Sequence, residues 1–196
     1  MRILKNILSN LHRFVLWALL SVLFWSWIFT FLTDTAPAKK VTVFIDAVRL
    51  DELGLNLRLE EDLPDGIKMV RVHNLDYQMM GGRETGDLYI LPASKLARTL
   101  AEHPQTVAPI ELPPGCEGYD QDGVCCGVCV YDAETGVGCA TDKVTYRSGD
   151  PVDGAGSSAE NYYLCINAAS IHYAKNENAI DNAAWQVAMT FLRLVP

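Results

Sequence analysis

Residues 14–32 carry no charge, and apart from Ser21, Ser26 and Thr30 every side chain among them is apolar. As a helix rising about 1.5 Å per residue, this run reaches roughly 30 Å, the thickness of a bilayer's hydrocarbon core. It predicts a single transmembrane helix. Arg2, Lys5 and Arg13 precede it without any Asp or Glu, and Asp34 follows it. Basic flanks stay cytoplasmic, so the expected order is a cytoplasmic N-terminus (1–13), an anchor (14–33), a tether (34–40) and an extracytoplasmic domain (41–196). The cell membrane is therefore the expected location. A cleaved signal peptide is the competing reading, since Ala36-Pro37-Ala38 offers a small-x-small site. The run nevertheless exceeds the roughly 7–15 residues of a signal core. Both readings export the domain.

Setting aside the three basic residues before the run leaves 13 of the 16 Lys and Arg, against 24 Asp and Glu, a net charge of −11 on the exported part. That balance argues against nucleic acid or anionic lipid as its partner. The membrane is met through the N-terminal helix alone.

Within the exported part, 41–45 is β-branched and aromatic and reads as a buried strand ending at Asp46. Leu50, Leu53 and Leu57 fall at helical spacing before the turn signal Pro64-Asp65-Gly66. Strands are expected at 67–72 and 87–91. Ser94 is placed to cap a helix with Leu96, Ala97 and Leu100 on one face, ending at His103-Pro104. A fourth strand-like stretch covers 107–112. The segment from His73 to Gly86 reads as a loop or short helix. Strands alternating with helices predict an α/β fold with one mostly parallel sheet flanked by helices. The second half predicts a β-hairpin insertion: 124–131, a turn at 132–136, and a return over 137–146. A strand at 162–166 and a terminal helix from about Asn178 complete the domain, with Asn178 and Asp181 in a capping arrangement.

Six cysteines lie beyond the apolar run, in a compartment where disulfides persist. Cys126-x-x-Cys129 falls inside a strand, where positions three apart point to opposite faces. It lacks both the knuckle of a zinc site and the helix N-terminus of a redox dithiol. No metal and no cofactor is expected. If the hairpin closes symmetrically about Glu134, Cys129 stands opposite Cys139, and a Cys129–Cys139 disulfide follows. Cys116 with Cys125 or Cys126 is a weaker second pair, and Cys165 reads as a buried small hydrophobe.

His73, His103 and His172 show no ligand spacing and read as surface or loop residues. Ser94 lacks the glycine-flanked elbow of a nucleophile, and Gly81-Gly82 lacks a phosphate-loop fingerprint. No catalytic constellation emerges, and a non-enzymatic role is expected.

Three stretches carry a family likeness: Lys40-Val-Thr-Val-Phe-Ile-Asp46, Thr85-Gly-Asp-Leu-Tyr-Ile-Leu-Pro-Ala-Ser94, and Asp122-Gly-Val-Cys-Cys-Gly-Val-Cys-Val-Tyr131 with Tyr162-Tyr-Leu-Cys-Ile-Asn167. In that order they resemble the opening strand, third strand and lobe-crossing strands of the extracellular solute-binding proteins of ABC importers. Those proteins have two lobes around a cleft, whereas this chain has room for one. The resemblance implies ligand binding by Asp46, Ser94, Tyr131 and Asn167. It also implies a small-molecule solute or an ABC permease as partner. The alternative is a structural or assembly protein of the cell envelope that docks another membrane protein.

Overall fold

The computed structural model describes residues 2–33, 35–75, 85–146, 159–173 and 182–194, and the chain divides into two units, 1–36 and 37–196. The first unit is a single helix, α1 (Arg2–Thr33). Four consecutive residues sweep the whole circumference of a helix. Here Phe14, Val15, Leu16 and Trp17 are all 50–69 % exposed. The helix is therefore apolar all round rather than along one stripe. Side chains are described within it only as far as Phe29, short of the full run 14–32. Among the described residues no helix is long and apolar enough to cross a membrane.

The second unit comprises β1 (Lys40–Ile45), β2 (Arg49–Leu50), α2 (Glu52–Glu60), β3 (Met69–Asn74), β4 (Leu88–Pro92), α3 (Ala93–Glu102), β5 (Gly118–Gln121), β6 (Val124–Tyr131), β7 (Val144–Thr145), β8 (Tyr162–Ile166) and α4 (Ala183–Leu192). Six strands form one sheet in the order β3-β1-β4-β8-β6-β5, while β2 and β7 make a separate two-residue ladder. β1 runs parallel to both β3 and β4, and the β4–β8, β8–β6 and β6–β5 ladders are antiparallel. Four of the six strands thus point one way, and the fold is α/β as the alternation of elements predicts.

Each residue of β1 is buried, as expected for a strand covered on both faces. On one face Val41, Val43 and Ile45 join Val70, Val72, Leu88, Ile90 and Leu164 beneath α2 and α4. On the other, Phe44, Leu91, Cys126 and Cys165 pack against Leu96 and Leu100 of α3. The outer edge of β3 is closed by α2. Its Glu60, Asn56 and Glu52 side chains, spaced four apart along the helix, accept the backbone N–H groups of Val70, Val72 and Asn74 at 3.4, 2.7 and 3.2 Å. With these donors occupied and α2 covering it, the edge is a poor template for pairing with another chain.

Several sequence expectations are corrected. On α2 the buried leucines are Leu55 and Leu59, whereas Leu53 and Leu57 are 71 % and 58 % exposed. Ser94 lies inside the first turn of α3, whose N-cap is Pro92. The stretch 107–112 is an extended connection, because Pro109 has no N–H to give a ladder. It holds to the sheet through Ala108 N–H on Ile166 O and Ile110 N–H on Cys125 O, both 2.9 Å. The Asn178–Asp181 capping arrangement lies outside the described residues.

The hairpin is also displaced. β5 and β6 pair across Asp122-Gly123, both with positive φ (54° and 80°), the Asp-Gly signature of a two-residue turn. The turn at 132–136 does form: Asp132 accepts from Glu134 N–H at 3.0 Å and from the Thr135 hydroxyl at 2.7 Å. Beyond it, the return strand is reduced to a single bridge, Tyr131↔Gly138. The chain then turns through Ala140 (φ 53°) and reaches β7, which pairs with β2 instead.

The amino edge of the sheet is locked by a buried polar cluster. The Asp87 carboxylate accepts Thr42 N–H at 2.8 Å and the Ser170 hydroxyl at 2.5 Å. Ser170 Oγ in turn accepts the backbone N–H of His172 at 3.0 Å. His172, read from sequence as a surface or loop residue, lies in a turn after β8 but is buried at 3 % exposure, with Nε2 3.0 Å from Pro37 O. A carbonyl only accepts, so Nε2 carries the proton. Part of the expected tether therefore belongs to the folded unit, and Pro37–Lys39 is a 3-10 turn held on it.

Candidate functional site

Between α3 and the sheet lies a cavity of about 300 Å³, at the lower end of the range for small-molecule sites. Its apolar wall is Leu75, Leu91, Val107 and Ile166, with Tyr89 and Cys165 on adjacent strands. Lys95, Thr99, Thr106 and Asn167 supply its polar groups. The alternation of β4 sends Tyr89 and Leu91 to the α3 face, and the antiparallel partner β8 brings Cys165 directly opposite Tyr89.

The polar groups of this wall are already engaged inside the fold. The Thr99 hydroxyl donates to Lys95 O at 2.9 Å and the Thr106 hydroxyl to His103 O at 2.7 Å. Asn167 Nδ2 donates to Gly86 O at 2.8 Å, and its Oδ1 accepts Ala169 N–H at 3.0 Å. Tyr89 Oη accepts Gly86 N–H at 3.0 Å. Lys95 Nζ donates to Asp46 Oδ2 at 2.9 Å. Burial holds the Cys165 thiol far above its ordinary pKa, so it is an inert wall group rather than a nucleophile. What remains for an occupant is mostly apolar surface.

Of the four residues expected to bind ligand, the structure brings only some near this cavity. Asp46, 8 % exposed, follows β1 at the carboxyl edge of the sheet and meets the cavity through Lys95. Ser94 starts α3 at the same edge but faces solvent, and its backbone N–H donates to Glu160 Oε2 at 2.9 Å. Tyr131 belongs to the opposite core face, stacked on Tyr146 at 4.7 Å with Tyr162 edge-on at 6.1 Å. Asn167 lines the cavity from the amino edge, the far end of β8. The four do not converge. Sequence reasoning missed Lys95, although its position one turn into a helix that follows a strand end was a usable signal.

Ser170, Asp87 and His172 bring together the residue types of a hydrolase, but the geometry differs. The serine hydroxyl donates to the carboxylate and the imidazole faces Pro37 O, so no nucleophile–base bond exists. Among the described residues no group of three or more His, Cys, Asp or Glu is arranged to hold a metal ion. All six cysteines are free thiols. The Tyr131↔Gly138 bridge and the Cys139 N–H bond to Val130 O at 2.7 Å set Cys139 beside Val130. Cys129 pairs with Tyr163 on the other edge of β6, and it lines one cavity with Cys139, but Val130 rather than Cys129 stands opposite Cys139. This is one residue off the register that the Cys129–Cys139 bridge requires, and a one-residue slip in a strand exchanges its faces.

No protein-family model, no curated protein and no solved structure matches this chain.

Proposed function

We propose that this chain is a membrane-anchored, extracytoplasmic binding module, without catalytic activity of its own, whose α/β unit takes a small, largely apolar ligand in the cavity beneath α3. The observation that carries the reading is a cavity of about 300 Å³ in which each polar wall side chain already has an internal partner. Such a wall offers little hydrogen-bonding capacity to a sugar, whereas an apolar body gains about 25 cal/mol for each Å² it removes from water. The Asp46–Lys95 pair supplies a polar group for an occupant's headgroup. The resemblance to solute-binding proteins adds an ABC permease as the expected membrane partner, and the charge-free run 14–32 supports the anchor.

Thermal-shift measurements on the full chain in detergent test this, with short-chain fatty acids and small aromatics set against sugars and amino acids. The expected result is stabilisation by members of the apolar set alone, lost in Val107→Trp, which fills the cavity. No shift from any member of that set would overturn the ligand reading. That outcome would favour the second reading, an envelope assembly protein, which has its own support: Leu53 and Leu57, one turn apart on α2, are 71 % and 58 % exposed.

A further inference from the structure

Two segments share the outer edge of β6. Its first half is paired by β5, and the ladder extends to Glu117, whose carbonyl accepts Cys129 N–H at 2.8 Å. The last part is taken over by 137–139, through Val137 O on Asp132 N–H at 2.9 Å and Cys139 N–H on Val130 O at 2.7 Å. At the point of exchange the register Gly118↔Val128 carries Cys116 opposite Val130, the same residue that Cys139 bonds. Cys116 packs against the core cluster that contains Val130 and Cys139, a cluster that does not include Cys129. Cys116, Cys129 and Cys139 all line one cavity of about 340 Å³, so the choice between the two possible partners of Cys139 rests on the register and on the shared core cluster. From this placement we propose that Cys116 and Cys139 are the pair that an oxidising compartment closes into a disulfide, stapling the β5 end to the returning segment, with Cys129 outside the bond.

Accessibility sets the order of steps. Cys116 is half-buried, whereas Cys139 is buried and its thiol donates to Leu192 O at 3.6 Å. Burial, then the neighbouring Cys116 and after it Cys129, pushes the Cys139 thiol up to about 11. A low-molecular-mass disulfide supplies the oxidant. The Cys116 thiolate attacks one of its sulfurs, forming a mixed disulfide and releasing one thiolate, which takes up a proton. The Cys139 thiolate then attacks the Cys116 sulfur. The Sγ–Sγ bond closes and the second small thiol leaves. Two protein thiols lose two electrons, and one acceptor disulfide becomes two thiols.

The test equilibrates the full chain in detergent with oxidised glutathione, blocks remaining thiols and cleaves after glutamate. Cleavage after Glu111, Glu117, Glu134 and Glu160 isolates Cys116 on one peptide and Cys139 on another, with Cys125, Cys126 and Cys129 together on a third. The expected product is a 112–117 peptide linked to 135–160, retained in Cys129→Ser and lost in Cys116→Ser. The oxidised wild-type chain should melt about 5–10 °C above its reduced form, because a closed loop of this size restricts the unfolded chain. Linkage of 118–134 to 135–160, or three unlinked and fully blocked peptides, would overturn the proposal.

Discussion

Replacing both Leu20 and Leu23 with lysine is expected to move the chain out of the membrane fraction. Each lysine near the centre of a spanning helix costs about 2.5–3.5 kcal/mol on insertion scales. The pair therefore opposes insertion by about 5–7 kcal/mol, a factor on the order of 10⁴–10⁵. Both positions lie mid-run, and they are 47 % and 66 % exposed. The wild-type chain should remain in membranes washed with alkaline carbonate, and the double variant should not. A double variant that still resists carbonate would show that this run does not hold the chain in the bilayer.

Replacing Asp87 with alanine is expected to be the most damaging single change in the folded unit. The carboxylate accepts from Thr42 N–H and from Ser170, its residue is 7 % exposed, and it joins the starts of β1 and β4 to the chain after β8. Hydrogen bonds to a charged group contribute about 1.5–3 kcal/mol each, and the variant leaves a buried N–H without an acceptor. A loss of about 3–5 kcal/mol follows, lowering the melting temperature of a unit this size by about 10 °C or more. Asp87→Asn keeps one acceptor oxygen and should lose roughly half as much. An alanine variant that melts within about 2 °C of wild type would show that the cluster does not hold the sheet.

The elements that sequence reasoning located well are those whose pattern is local. β1, β4 and β8 are short β-branched or aromatic runs bounded by polar or turn residues, and α3 carries its Leu96 and Leu100 stripe in a single window. Errors arose where two local signals competed. Asp122-Gly123 and the 132–136 turn each mark a reversal, and only the three-dimensional sheet decides that β5 takes most of the edge of β6 and leaves its last residues to 137–139. The helix α2 was located, but its buried face was misread for a related reason. Its polar Glu52, Asn56 and Glu60 serve β3, which turns Leu55 and Leu59 inward and leaves Leu53 and Leu57 outside. The cavity could not be read at all, because its wall is drawn from β4, α3, the connection at Val107 and the end of β8. Asp46 was a candidate because of its place at a strand end, but its partner Lys95 lies 49 positions away, and no spacing rule joins them.

Export of the α/β unit on an uncleaved N-terminal helix is the claim on which the ligand, the permease and the disulfide readings depend for their biological setting. Protease added outside sealed protoplasts measures it directly. The unit carried by 37–196 should be degraded while a cytoplasmic marker survives, leaving a membrane-bound fragment that contains 14–32. An intact chain that becomes digestible only after the protoplasts are lysed would contradict the account.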